Sequence, residues 1–323
     1  EIQRTFRRNN DDDDDDGDER LRIIVMSATL FENNDDNNGD EYTEPTAGAS
    51  EPASLSPAST KQRLLTVLGG EDECGIVQSD GRQFDISIHF ANDIVRSTSS
   101  KSNRNKISPL KRIPPLGLMV KDRKLLVETV SNIVETVALP QSQNRGDILV
   151  FVPGAAECRR VVATLQERFP PSTDVEAMAL YGTMPKEEQD KVLYPRHRQE
   201  QDQQRVIVST PIAEASLTLP RVTCVVDSGL CREPRCDADT GIPRLVTTRI
   251  SKASANQRSG RAGRVQEGSC FRLYTERDYD EDLKEQSPPE ISSCDLSSIL
   301  LVLADWGVAS SAEILNEMPF VDP

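Results

Sequence analysis

The chain has 323 residues, room for about two domains of ordinary size, and a formal charge of −15. Its apolar runs stop well short of the roughly 18 residues a membrane helix needs, which predicts a soluble chain with no membrane partner. Among its 7 cysteines and 2 histidines no C-x-x-C pair occurs, which predicts buried reduced thiols and no metal site.

The acidity is local. Asn10–Gly75 holds 18 acidic and 4 basic residues, whereas Arg205–Arg277 holds 7 acidic and 12 basic ones. A basic segment therefore remains to meet phosphates. The chain opens on Glu1 rather than Met and stops at Pro323 inside an apolar stretch, so it reads as a piece of a longer protein. No secretory leader is visible at its start.

Residues 1–8 read as the end of a helix, and Asp11–Asp16 as a run of like charges that stays solvated. Leu21–Met26 is an apolar run ending at Ser27, the pattern of a buried strand. Phe31–Ser59 is rich in Asn, Asp, Glu, Ser, Pro and Ala. It has too little apolar surface to offset ordering entropy and reads as a disordered acidic insertion. Order resumes near Lys61, and Ser97–Arg112 reads as a basic loop.

From there strands and helices alternate. Lys121–Ala138 has helical apolar spacing. Asp147–Val152 is a strand stopped by Pro153-Gly154, and Ala155–Arg168 a helix. Val175–Leu180 is a strand, and Pro185–Leu193 a helix with proline in its first turn. Val206–Ser209 and Val222–Val226 are further strands. Cys231–Cys236 and Arg244–Thr248, joined through Asp239-Thr240-Gly241, read as a hairpin. Ser251–Arg264 is a helix, Ser269–Leu273 a strand, and Asp295–Ala304 a helix after Pro288-Pro289. The alternation predicts an α/β fold, a parallel sheet with helices on both faces.

The chemistry concentrates in Gln257-Arg258-Ser259-Gly260-Arg261-Ala262-Gly263-Arg264. Arg261 and Arg264 share one helical face, and guanidinium forks suit the oxygens of a transferring phosphoryl group. Gly260 and Gly263 suggest close approach of backbone to a phosphate. Alone, the stretch could also be a solvated basic helix or a flexible Arg-Gly segment, the less favoured reading. It is accompanied, however, by a series of short segments at strand exits. These are Ser27-Ala28-Thr29, Leu149–Gly154, Leu180-Tyr181-Gly182-Thr183, Ser209–Thr218 and Val225–Gly229, at the edge where parallel sheets present ligand groups.

In this order the segments resemble motifs III to VI of the DEAH-box branch of superfamily-two RNA helicases. Val225–Leu230 and Thr240-Gly241 with Arg244-Leu245-Val246 look nearest to its bacterial HrpB-like subgroup. Gly81-Arg82-Gln83-Phe84 and Pro288–Trp306 match further family signatures. The resemblance implies a RecA-like fold with the end of a first RecA-like domain in residues 1–83, interrupted by the 31–59 insertion. A second RecA-like domain would span 84–277 and the start of a winged-helix domain 278–323.

It further implies an ATP-dependent RNA helicase, an NTP hydrolase binding RNA and ATP with Mg2+. Gln257, Arg261 and Arg264 would face the γ-phosphate, Arg264 as arginine finger. Ser216 and Thr218 would lie near the nucleotide. Leu193 stands where the family has the aromatic residue on which adenine stacks, which implies either weaker nucleotide affinity or a stack rebuilt with Tyr194. Ser27 and Thr29 would couple the two sites. Thr210, Gly154 and Thr183 would hold RNA, and the hairpin at 231–248 would stand where a duplex splits. Pro211, Ala215 and Pro220 depart from the family's usual residues.

Neither a G-x-x-x-x-G-K-[ST] loop nor an Asp-Glu-Ala-His box occurs. The magnesium ligands are thus expected upstream of Glu1, and this chain alone is expected to be inactive. The alternative is a non-catalytic RNA- or protein-binding scaffold derived from a helicase. An intracellular place, in cytoplasm, nucleus or organelle, and a protein activator are both compatible with the resemblance.

Overall fold

The computed structural model describes residues 84–101, 112–141, 146–170, 173–194, 204–215, 217–236, 242–288 and 296–305. Gly81–Asp295 forms one compact unit, and helix Ser297–Asp305 belongs to a second. The strand expected at Leu21–Met26, Ser27-Ala28-Thr29, the acidic stretches at 10–20 and 31–59, Ser216 and Asp239-Thr240-Gly241 lie outside the described residues.

In chain order the strands are β1 (Ile86–His89), β2 (Asp147–Phe151), β3 (Val175–Leu180), β4 (Gln204–Ser209), β5 (Val222–Asp227), β6 (Leu230–Cys236), β7 (Pro243–Arg249) and β8 (Gly268–Arg272). Six of them form an all-parallel sheet in the order β1-β8-β5-β2-β4-β3, while β6 and β7 pair as a separate antiparallel hairpin. The helices are α1 (Ala91–Lys101), α2 (Leu116–Lys121), α3 (Arg123–Ile133), α4 (Ala155–Arg168), α5 (Lys186–Leu193), α6 (Ile212–Ala215), α7 (Lys252–Ser259) and α8 (Ser297–Asp305).

The central strands carry unbroken apolar runs, Ile148–Phe151, Val206–Val208 and Cys224–Val226, because both faces are covered. Ile148, Val150, Val206, Val208 and Val226 pack with Ile94, Leu116, Leu126 and Val161 of α1 to α4. Their neighbours in sequence, Leu149, Phe151, Ile207 and Val225, point the other way. They pack with Val192 of α5, Ala213 of α6, Leu219 and Ala262. Each such fully buried side chain contributes roughly 1.5–3 kcal/mol. The second layer is thinner, since its helices α5 and α6 have eight and four residues and the rest is connecting chain. At the amino ends of β2 and β4, Arg205 is ion-paired with Asp147, both fully buried. Its Nη1 also donates to the Val192 carbonyl at 2.9 Å.

Several elements differ from the sequence expectations. The helix expected over Lys121–Ala138 is broken at Asp122, whose carboxylate accepts from the Lys124 and Leu125 N–H groups at 2.9 and 3.1 Å and starts α3 afresh. It then continues as a π-helical turn, Val134–Ala138. Part of the expected loop at Ser97–Arg112 is helix, since α1 runs to Lys101. The helix expected over Ser251–Arg264 ends at Ser259, and turns carry the chain on from Gly260.

The reason for Gly263 is also different from close approach to a phosphate. A Cβ there would stand 2.6 Å from the Phe84 carbonyl oxygen, and the Phe84 N–H donates to the Gly263 carbonyl at 2.9 Å. The glycine admits the chain leading into β1.

Candidate functional site at the carboxyl edge of the sheet

Strand register brings the singled-out segments to one edge. Phe151 is level with Ser209 and Asp227, Ser209 with Leu180, and Asp227 with Arg272. The ladder continues one step into the loops. Val152 N–H donates to Ser209, Thr210 N–H to Leu180, Ser228 N–H to Phe151 and Leu273 N–H to Asp227, at 2.9–3.2 Å. The loops carrying Gly154, Thr210 and Thr183 therefore follow three adjacent strands, β2, β4 and β3. At ordinary strand spacing the three span about 10 Å.

Helix α7 straddles this edge. Ala255 lies in one apolar layer and Ala262, just past the helix, in the other. Between them Arg258 is fully buried. Its Nε donates to Glu214 Oε2 at 2.9 Å, and its Nη1 to Asp227 Oδ1 at 2.8 Å and to the Leu230 carbonyl at 3.2 Å. Its guanidinium stands 5.0 Å from the Phe151 ring centroid. Burial works against the charge, but the Asp227 and Glu214 carboxylates outweigh it and raise the Arg258 pKa above the ordinary arginine value.

Asp227 is a junction in turn. Its Oδ1 also accepts from Gly229 N–H at 3.0 Å, and its Oδ2 from the Tyr274 hydroxyl at 3.0 Å. Gly229 has φ +72°, and a Cβ there would stand 2.6 Å from the Tyr274 ring. Only glycine allows the turn from β5 into the hairpin at this point. The hairpin is held against the edge by Arg232, which with Arg123 meets the buried Glu157 carboxylate at 3.1 and 2.5 Å respectively.

Arg261 and Arg264 are placed differently. Arg261 is buried; its Nη1 donates to the Leu217 carbonyl at 2.8 Å and its Nη2 to the Glu214 carbonyl. Arg264 is exposed. Among the described residues neither pairs with a carboxylate. Burial and the Arg264 guanidinium push the Arg261 pKa down to about 10, against a smaller opposing pull from Glu214. Burial lowers Arg264 as well. Two cations that repel each other at the end of a helix are a place where an anion is welcome.

Of the other expected residues, Gln257 is half-buried on α7 and Thr218 is exposed in the crossover between α6 and β5. Tyr194 is 68% exposed at the end of α5. Their neighbours Leu217, Leu219, Val192, Leu193 and Ala262 share the thin apolar layer, so Tyr194, Thr218 and the two arginines border one face. Thr210 is half-buried, Thr183 exposed and Gly154 buried, all at the carboxyl edge.

Arg258, Asp227 and Glu214 were not singled out from the sequence. The signal that could have found them is a single carboxylate closing the apolar strand Val222–Asp227. In a buried position it requires a cationic partner.

Residues 127–266 match the model of the helicase conserved C-terminal domain. The chain is 35% identical over 195 residues to the ATP-dependent RNA helicase HrpA homolog of Haemophilus influenzae, covering 60% of this chain and 14% of that protein. It is 38% identical over 182 residues to the ATP-dependent RNA helicase HrpB of Escherichia coli, covering 56% of this chain and 22% of that protein. The crystal structure of the Escherichia coli DEAH/RHA helicase HrpB superposes with a TM-score of 0.61 at 30% identity, covering 80% of this chain and 28% of that one. The fold is the RecA-like fold of these helicases, and the chain spans under a third of the length of each of these relatives.

Proposed function

We propose that this chain supplies the second RecA-like domain of an ATP-dependent RNA helicase of the DEAH/RHA type, a reading supported by the match of residues 127–266 to the helicase conserved C-terminal domain and by the likeness to the DEAH/RHA helicase structure. The same reading divides the chain into the end of a first RecA-like domain (1–83), the second (84–277) and the start of a winged-helix domain (278–323). The observation that carries it is the pair Arg261 and Arg264, cationic and without carboxylate partners among the described residues, held at the edge of the same sheet whose loops end in Gly154, Thr183 and Thr210.

In this reading the triphosphate of ATP lies against α7, with Tyr194 and Thr218 beside the nucleotide. Arg258 is kept from the phosphates by its two carboxylates and fixes the helix. Arg261, held by two backbone carbonyls, is pre-aimed. Arg264, free at the rim, meets charge as it develops on the transferring phosphoryl group, a role worth about 10³–10⁵ in turnover. Arginine suits it because its planar fork matches two oxygens at once. RNA is gripped by its backbone along the carboxyl edge, which makes binding salt-dependent and largely sequence-blind. Magnesium, implied by the use of ATP, finds no cluster of three or more His, Cys, Asp or Glu among the described residues. No step here runs through it.

The two surfaces can be tested in this chain. Inorganic tripolyphosphate at about ten times its dissociation constant stabilises a one-site protein by about 1.4 kcal/mol. Arg264→Ala is expected to abolish that shift and to spare affinity for a labelled oligouridylate, measured by anisotropy. Thr210→Ala is expected to do the reverse. If Arg264→Ala loses RNA affinity and keeps the tripolyphosphate shift, the segment is an RNA-binding helix and the assignment is wrong.

A further inference from the structure

The segment after β8 lies outside every motif, yet it wraps the amino end of the arginine helix. Four N–H groups at the start of any helix lack partners within it. In α7 those of its first three residues are met from outside the helix ladder. The Lys252 N–H donates to the Lys284 carbonyl at 2.8 Å, the Ala253 N–H to the Glu285 carbonyl at 3.1 Å and the Ser254 N–H to the Ser251 hydroxyl at 3.2 Å, while the Ala255 N–H makes the first bond within the helix, to the Ser251 carbonyl at 3.0 Å. Two of these three caps come from a stretch of chain about thirty residues further on.

Side chains repeat the attachment. Lys252 Nζ meets Glu285 Oε1 at 2.6 Å, and Arg249 of β7 meets Asp282 Oδ2 at 2.9 Å. The Tyr279 hydroxyl donates to Asn256 Oδ1 at 3.1 Å, an oxygen that also accepts from Arg272 at 3.0 Å. Within the strap, Leu283 alone is buried, and Lys284 to Pro288 are exposed. Its hold on α7 is therefore polar and local, able to open without unfolding the sheet.

We infer that the strap Asp282–Ser287 is a positioning element for the arginine helix, with Lys284 and Glu285 acting through α7 on Arg258, Arg261 and Arg264 and Asp282 anchoring the strap to β7. This rests on the reading of Arg261 and Arg264 as nucleotide-facing and adds to it a control point past the end of β8. Residues that cap the first turn of an eight-residue helix fix where its last turn lies.

The test uses the 323-residue chain and a substitution that breaks the strap without harming the helix. Proline is well tolerated at the first helical position. Ser251, with φ −86° and ψ 164°, already has the extended conformation a following proline requires. Lys252→Pro therefore removes one strap hydrogen bond and one ion pair at once. Asp282→Asn with Glu285→Gln removes the ion pairs alone, and Lys252→Arg serves as the conservative control.

Two readouts are taken: amide hydrogen exchange across residues 253–259, and the side-chain Nε–H resonance of Arg258. The expected result is exchange faster by about five- to ten-fold, the scale of losing one helix cap. The Arg258 resonance shifts with it, the sheet amides stay protected, and Lys252→Arg behaves as the parent. Unchanged exchange and an unchanged resonance overturn the inference. So does a uniform loss of protection across β2, β4 and β5, which would make the strap part of core stability. Neither readout requires nucleotide or RNA, so a failure of the nucleotide reading leaves this result standing, and the reverse.

Discussion

Replacing Arg258 by alanine should be the most damaging single change at the carboxyl edge. The side chain has no solvent exposure and divides its donors between Glu214 Oε2 at 2.9 Å, Asp227 Oδ1 at 2.8 Å and the Leu230 carbonyl at 3.2 Å. Removing one partner of a buried ion pair costs about 3–5 kcal/mol, because the other charge stays behind unpaired. Two facts place this case in the lower half of that range. Asp227 keeps the Gly229 N–H and the Tyr274 hydroxyl, and the Glu214 side chain is 16% exposed, so water can reach it. The expected loss is about 3–4 kcal/mol, a large share of the 5–15 kcal/mol a domain usually has. Arg258→Lys keeps the charge but cannot span both carboxylates, and should recover less than about half of it. The assay is urea unfolding of the chain followed by circular dichroism. In Arg258→Ala with Asp227→Asn, the cost should fall short of the sum of the two single changes by more than about 1 kcal/mol. A loss below about 1 kcal/mol for Arg258→Ala would refute the reasoning, since the pair would then be solvated and the junction loose.

Three further outcomes are expected. Gly229→Ala forces a Cβ to within 2.6 Å of the Tyr274 ring at φ +72° and should cost at least about 2 kcal/mol in the same assay. Burial pushes the thiols of Cys158 and Cys270 up to about 12, well above the ordinary thiol range. Alkylation at about pH 8 should therefore reach half-buried Cys231 before buried Cys158, Cys224 and Cys270, as mass spectrometry would show. For the same two thiols the folded state holds its protons longer than the unfolded one. Their contribution to stability is complete below about pH 9 and is lost as pH rises towards about 12, visible as a falling thermal midpoint. Lastly, the purified chain should hydrolyse no ATP above background with or without RNA, because its sequence contains no phosphate-cradling loop. RNA-stimulated phosphate release would contradict that.

How much of this was legible in the sequence depended on burial. β2, β4 and β5 announced themselves because strands covered on both faces read as apolar runs bounded by Pro, Gly or Ser. β1 did not: Ile-Ser-Ile-His is an edge strand, with Ile88 42% exposed, and four residues carry too little pattern. Helix α6, also four residues, is set by the tertiary turn around it rather than by propensity. The break at Asp122 was hidden because apolar spacing continues across it, while the capping carboxylate looks like any surface acid. At the site, the arginine-rich segment was visible as chemistry, but its division of labour was not. Arg258, Arg261 and Arg264 are identical letters at equal steps. Only the positions of Asp227 and Glu214 decide that the first is neutralised and the other two are not.

That division also says how the loop after β4 and the arginine helix are joined. Arg261 takes its position from the carbonyls of Glu214 and Leu217, which belong to the crossover that begins at Thr210. Arg258 takes its position from the Glu214 side chain and from Asp227 at the end of β5. A shift of the loop after β4 therefore cannot leave the arginines where they are, since their hydrogen-bond acceptors move with it. Hydrogen bonds to a backbone carbonyl transmit displacement more faithfully than contacts between flexible side chains, because the carbonyl has no rotamer through which to absorb it. The short crossover, too thin to form more than one turn of helix, is thereby the mechanical link between the carboxyl-edge loops and the arginine pair. A sequence that lengthened it would loosen the link even with every motif residue retained.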